Sequence, residues 1–138
     1  MEIETNHLQI GRVIDANLNR LKEGLRVIED TLRYLHNDAP FASSLKSLRH
    51  RVKISHSSHL LIYRDAQNDV SKQSSADELA RENISQLVLA NFKRTQESAR
   101  VLEEYFKLDK NLGDTHTFKS LRYELYELEK QYWEKYAS

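Results

Sequence analysis

Apolar residues recur along the chain in alternating steps of four and three. The first line is Ile14, Leu18, Leu21, Leu25, Ile28, Leu32 and Leu35. A second is Val88, Phe92, Thr95, Ala99, Leu102 and Phe106, and a third is Phe118, Leu121, Leu125, Leu128 and Tyr132. A shorter line, Phe41, Leu45, Leu48 and Val52, gives way to Ser55 and His59. Such spacing puts one apolar stripe on a helix and buries it against neighbours. It predicts four helices, at about 8–36, 41–62, 77–108 and 116–136, with ends good to a few residues. Pro40 suits the first turn of the second helix. Ser75 with Glu78 forms a capping-box pattern for the third. Gly113 falls in the break before the fourth.

The pattern occurs twice. ANLNRLKEGLRVIED from Ala16 and ANFKRTQESARVLEE from Ala90 share seven of fifteen positions at an offset of 74. KSLRH at 46–50 matches KSLRY at 119–123 at an offset of 73. Two matched blocks at nearly one offset imply a duplicated unit of two helices. The expected fold is therefore all-α: one domain of two repeated helical hairpins, about 8–62 and 77–136, related by a pseudo-twofold axis and joined by a linker at 63–76.

Beside the apolar stripe of helix one runs a second line: Ile10, Val13, Asn17, Arg20, Gly24, Val27, Thr31. Its counterpart in helix three is Ile84, Leu87, Asn91, Arg94, Ser98, Val101, Tyr105. Both are interrupted at the same level by an asparagine, an arginine and a small residue. If helices one and three lie side by side, these residues converge on a polar hole with room beside Gly24 and Ser98. A buried arginine needs a carboxylate or an anionic ligand. Two explanations stand together. Glu23 and Glu97, three positions after the arginines, could pair with them along each helix. Alternatively the arginines await an anion, and the cost of a mid-helix glycine, about 1 kcal/mol relative to alanine, favours the ligand.

Composition narrows the choices. A chain of 138 residues can bury roughly two-thirds of its unfolded surface. At 39% hydrophobic and 30% charged residues it is globular rather than disordered. Lysine plus arginine equal aspartate plus glutamate at 21 each, so any anion site is local, and neither nucleic acid nor a membrane is expected as a partner. The absence of cysteine removes disulfide and thiolate chemistry. No apolar run or leader pattern stands out, so a cytoplasmic protein is expected. Gly11, Gly24 and Gly113 are isolated, which excludes glycine-rich nucleotide loops but not binding by arginines.

The linker carries Arg64, Asp65 and Asp69, and the two carboxylates are candidate Mg²⁺ ligands because that ion takes one or two carboxylates plus phosphate oxygens. His56 and His59 have metal-ligand spacing but lack a carboxylate nearby. Tyr123, Tyr126 and Trp133 lie off the core line of helix four. They read either as a homodimer surface or as rings packed with their polar ends in water.

RVIDANLNRLKEGLRVIED, ANFKRTQESARVLEEYFKL, LKSLRHR at 45–51, RDAQNDV at 64–70 and LRYELYELE at 121–129 together resemble a known family over roughly 10–125. It is the monofunctional hydroxymethylpyrimidine-phosphate kinase family of thiamine biosynthesis, a small helical domain often fused ahead of thiamine-phosphate synthase. Ser71 stands where the family's loop pattern has glycine. The chain is far shorter than a synthase barrel of roughly 250 residues, so coupling of pyrimidine to thiazole is not expected of it.

The resemblance implies ATP-dependent phosphorylation of 4-amino-5-hydroxymethyl-2-methylpyrimidine phosphate to the diphosphate, with Mg²⁺, and a functional association with thiamine-phosphate synthase. On that view Arg20 and Arg94 are phosphate clamps, supported by Asn17 and Asn91, with Arg49 and Arg64 in reserve. Glu23 and Glu97, with Asp65 and Asp69, supply orienting or metal-binding carboxylates. Two other classes fit the same residues. One is a helical enzyme acting on a small anion, such as a chorismate-type mutase. The other is a non-catalytic docking module for a thiamine enzyme.

Overall fold

The computed structural model describes residues 7–52, 57–73 and 80–138. Four α-helices account for most of them: α1 His7–Asp30, α2 Ala39–Arg51, α3 Ile84–Tyr105 and α4 Thr115–Tyr132. One π-helical turn, Thr31–Leu35, extends α1, and another, Trp133–Ala137, extends α4. A short 3₁₀ segment, Ser57–Tyr63, packs back on α1. No strand occurs among the described residues, and no helix there is long and apolar enough to cross a membrane.

Local chemistry sets the helix ends. Asn37 takes a left-handed φ of 53°, which asparagine tolerates, and Asp38 N–H then closes on Leu32 O at 2.8 Å. Asp38 next caps α2 by accepting from Phe41 N at 3.1 Å, with Pro40 in the first turn. Asn83 and Asp114 cap α3 and α4 through Gln86 N and His116 N. Two expected boundaries are wrong. The second helix stops at Arg51 instead of near 62, because its apolar stripe ends at Val52. Its last turn holds Arg49, His50 and Arg51, favourable beside the helix carbonyls. The third helix begins at Ile84 instead of 77, where Asn83 supplies the cap and the apolar lines begin. The Ser75 and Glu78 pattern lies outside the described residues, as does His56.

The predicted apolar lines form the core, except that Leu35, the last residue of the first line, is exposed. Ile14, Leu21, Leu25, Ile28 and Leu32 of the first hairpin meet Val88, Phe92, Ala99, Leu102 and Phe106 of the second, closed by Leu45, Leu121, Leu125 and Tyr132. Helix α1 packs chiefly on α3, α2 on α1, and α4 on α3. His7, at the start of α1, lies 2.8 Å from Asp109 just beyond the end of α3, so α1 and α3 run antiparallel. An axis relating two antiparallel helices is perpendicular to their common plane. Equivalent residues therefore fall on the same face. Arg51 and Glu124, paired at 2.7 Å, join α2 to α4. The molecule thus has two layers, α1 with α3 and α2 with α4, and the outer face of the first is left open.

Candidate functional site

Arg20 lies on α1 and Arg94 on α3, the two helices of that layer. Gly24 packs beside Asn91 and Thr95, which sets the antiparallel register of α1 and α3. The expected buried polar hole is not present. Both arginines are exposed, as are Glu23 and Glu97. The space beside Gly24 is filled: a Cβ there would stand 2.6 Å from Cγ2 of Thr95. The glycine serves close approach of α1 and α3, a packing reason for its cost. Asn17 and Asn91 turn inward and donate to the carbonyls four residues earlier, Val13 O and Leu87 O, each at 2.9 Å. Ser98 likewise donates to Arg94 O at 2.8 Å. The amides are matched across the repeats and hold their own helices.

Arg20 and Arg94 are singular in another way. The chain has eleven arginines. The other nine have a hydrogen bond, an ion pair or a ring contact among the described residues. Arg20 and Arg94 have none there. The anticipated pairing with Glu23 and Glu97 along the helix does not form.

Arg49 has a different role from the one expected. Its Nε donates to Glu29 Oε2 at 2.7 Å and its Nη2 to Oε1 at 3.2 Å. In the second repeat Arg122 makes the same two-pronged contact with Glu103. Burial pushes Glu29 upward, but the hydrogen bonds and charge of Arg49 outweigh it and hold the carboxyl below its ordinary range. Hydrogen bonds to Glu103 raise Arg122 further above the usual guanidinium range. These twin clamps tie α1 to α2 and α3 to α4. They are structural, and the repeat already signalled them: Glu29 matches Glu103, and the two arginines close the matched KSLR blocks.

Arg64 is also engaged. It donates from Nε and Nη2 to both oxygens of buried Asp15 at 2.9 Å, and the hydrogen bonds to Asp15 raise it above the ordinary guanidinium range, with Glu23 adding to the field. The ring of Tyr63 lies on Gly11, where a Cβ would collide with it. Arg12 reaches Asp65 O at 3.4 Å. Residues 63–65 are thus docked along α1. Beyond them, Asp65 accepts from the backbone and side chain of Asn68, whose side-chain bonds hold its carboxyl below the ordinary range. Asp69 accepts from Ser71 N at 2.9 Å. Each caps a turn, and no group of three or more metal-binding side chains occurs among the described residues.

Sequence reasoning missed a second polar cluster. Asp38, buried between the hairpins, accepts from Lys135 Nζ, Tyr136 OH and Phe41 N, and is held down to about 2, chiefly by the bonds from Lys135 and Tyr136. His36 stacks on Tyr136 at 3.9 Å and shares a 2.8 Å hydrogen bond with Tyr132 OH. This cluster has no equivalent in the repeat pattern, so nothing in the periodicity marks it.

A duplicated helical hairpin, with Arg20 and Arg94 unpaired among the described residues, defines an all-α domain. The chain belongs to the ThiD2 family, which matches residues 12–131. It is similar to proteins named thiamine-phosphate synthase: 42% identical over 122 residues to that of Synechocystis sp., covering 87% of this chain and 35% of the relative. It is 40% identical over 123 residues to that of Thermosynechococcus vestitus, covering 88% of this chain and 34% of the relative. It is 41% identical over 120 residues to that of a Nostoc species, covering 86% of this chain and 34% of the relative. The chain therefore spans about a third of the length of these curated relatives. No solved structure matches it.

Proposed function

We propose that the chain is a phosphotransferase of thiamine biosynthesis that converts 4-amino-5-hydroxymethyl-2-methylpyrimidine phosphate to its diphosphate with ATP. The observation that carries this is the repeat-related pair Arg20 and Arg94, both exposed and without ion partners among the described residues, in a family whose relatives include proteins named thiamine-phosphate synthase. Phosphoryl transfer needs positioning and charge stabilisation more than covalent help from the protein. Two guanidiniums related by the repeat meet two phosphate-bearing substrates. A phosphate oxygen of the acceptor attacks the γ-phosphorus of ATP, the bond to the β-phosphate oxygen breaks, and ADP leaves with that electron pair. With a second pKa of about 6 the acceptor phosphate is already mostly dianionic at neutral pH, so no general base is required of the protein.

Magnesium fits the donor set as a companion of ATP rather than as a resident ion. Glu23 and Glu97 are the exposed carboxylates beside the arginines, and one or two carboxylates with phosphate oxygens satisfy Mg²⁺. It would neutralise charge on the transferred group. The product is the activated pyrimidine that a thiamine-phosphate synthase consumes, which is the functional association proposed for this domain.

The test is the purified chain with ATP, Mg²⁺ and the pyrimidine monophosphate, with the free pyrimidine alcohol as control. Diphosphate and ADP should form in equal amounts from the monophosphate and not from the alcohol. Absence of turnover, together with tight binding to a synthase, would replace the proposal with a docking module.

A further inference from the structure

The two halves of the molecule differ where the duplication would make them alike. On α1, Gly11 and Asp15 lie under Tyr63 and Arg64. Their equivalents on α3, at the offset of 74, are Ser85 and Leu89. There, among the described residues, the corresponding space is a cleft of about 520 Å³ between the first turns of α3 and the turn Trp133–Ala137. Its walls are Leu89, Ala90, Ala137 and the indole of Trp133, with Ser85 and Lys93 at the edge.

We infer that this cleft is the acceptor half-site, taking a planar heteroaromatic monophosphate with its ring against Trp133 and its phosphate towards Lys93 and Arg94. This deepens the proposed function and rests on it for the identity of the ring. On α1 the pocket floor carries a carboxylate and the chain's own guanidinium neutralises it. On α3 the floor is Leu89, which has no charge to satisfy and offers an apolar surface instead. Trp133 is 51% exposed, a flat ring open on one side. Stacking on such a ring suits an aromatic ligand, and the volume lies within the range of small-molecule sites, roughly 300–1,000 Å³. Charge selects the ligand further. Lys93 is held at 3.3 Å by Glu129, so the rim is nearly neutral until Arg94, the following residue, is added. That balance suits one phosphate dianion, not a triphosphate. The α1 half, where Arg12 and Arg20 are exposed, is left to the nucleotide.

Trp133 is the protein's only tryptophan, so its emission reports on the cleft directly. The full chain is titrated with the pyrimidine monophosphate in the absence of ATP, and separately with Mg²⁺-ATP. A saturable emission change is expected with the first and little with the second. Ala90→Leu, which fills the cleft, should weaken monophosphate binding by about tenfold or more. Lys93→Met should weaken the monophosphate by about tenfold while leaving the free alcohol unaffected, since only a charge-assisted contact is lost. Circular dichroism confirms that each variant is folded, and calorimetric titration provides a second binding measurement. Turnover without an emission change, with Ala90→Leu as active as the parent, overturns this inference and leaves the kinase proposal standing. Saturable emission without turnover does the reverse. A concentration-dependent change without ligand would assign the cleft to a second copy of the chain and overturn the inference.

Discussion

Arg122 grips Glu103 with two parallel hydrogen bonds, and Arg49 grips Glu29 in the same way in the other hairpin. Glu103 is 3% exposed and Glu29 5%. Removing one partner of such a pair strands a buried charge, at a cost of about 3–5 kcal/mol. Arg122→Met should therefore lower the unfolding free energy by that amount in urea, and Arg122→Met with Glu103→Gln should recover a large part of it. Arg49→Met should cost less, because Arg49 is the more exposed of the two arginines. Equal stability of the Arg122→Met single and the double variant would show that the stranded Glu103 charge is not what the single substitution costs.

Gly24 gives a test of the helix interface. In an exposed helix, glycine to alanine gains about 1 kcal/mol. Here the new Cβ would stand 2.6 Å from Cγ2 of Thr95, a fully buried β-branched side chain that cannot swing away. Overpacking of this kind costs about 1–3 kcal/mol, so Gly24→Ala is expected to destabilise despite its better propensity. Adding Thr95→Ser removes the offending methyl and should restore stability. A more stable Gly24→Ala single variant would mean that α1 and α3 are further apart than described.

The stripes were legible because helical period is a local property. Thr95 was placed on the core line among apolar neighbours, and it is fully buried. The pairing of α1 with α3 was legible because the same interruption occurs twice. What could not be read is which arginine meets a carboxylate. Arg20 has a glutamate three positions on and ignores it, whereas Arg49 reaches back to Glu29 and Arg64 to Asp15. Those choices depend on inter-helix register, which no single helix encodes. Gly24 misled for a related reason: a small residue marks space, but the neighbouring helix decides what fills it. The early end of α2 follows from an apolar line that runs out at Val52.

Acid should weaken the junction between the hairpins. Asp38 is lowered from 3.8 to about 2 by its bonds with Lys135 and Tyr136. A depressed carboxyl stabilises the fold at pH values above its unfolded pKa, about 3.9, and loses that contribution as pH falls through the folded value. The stability difference between the parent and Asp38→Asn should be flat above about pH 5 and shrink between about pH 4 and pH 2. Asparagine still caps α2, so the comparison isolates the charge. Urea unfolding at a series of pH values measures it, and a difference independent of pH down to about 2 would remove Asp38 from the junction's electrostatics.

The central arginines should separate stability from function. Arg20 and Arg94 are exposed and make no side-chain hydrogen bond, ion pair or ring contact among the described residues, so replacing either with methionine should change stability by less than about 0.5 kcal/mol. Methionine keeps the apolar stem and removes the fork of donors. If the guanidiniums hold phosphate in the transition state, each loss should cost about 2–4 kcal/mol, tens- to several-hundred-fold in kcat/KM. The two variants should also differ from each other, because the halves around the axis differ. Arg94→Met, on the helix that carries Leu89, Ala90 and Lys93 of the Trp133 cleft, should raise KM chiefly for the pyrimidine monophosphate. Arg20→Met, on the half covered by Tyr63 and Arg64, should raise it chiefly for ATP. Steady-state kinetics with each substrate varied in turn gives the comparison. Parental kinetics in both variants would leave the open face without a role in phosphoryl transfer. Equal effects on both substrates would mean that the two arginines act on one shared phosphate at the axis rather than on one substrate each.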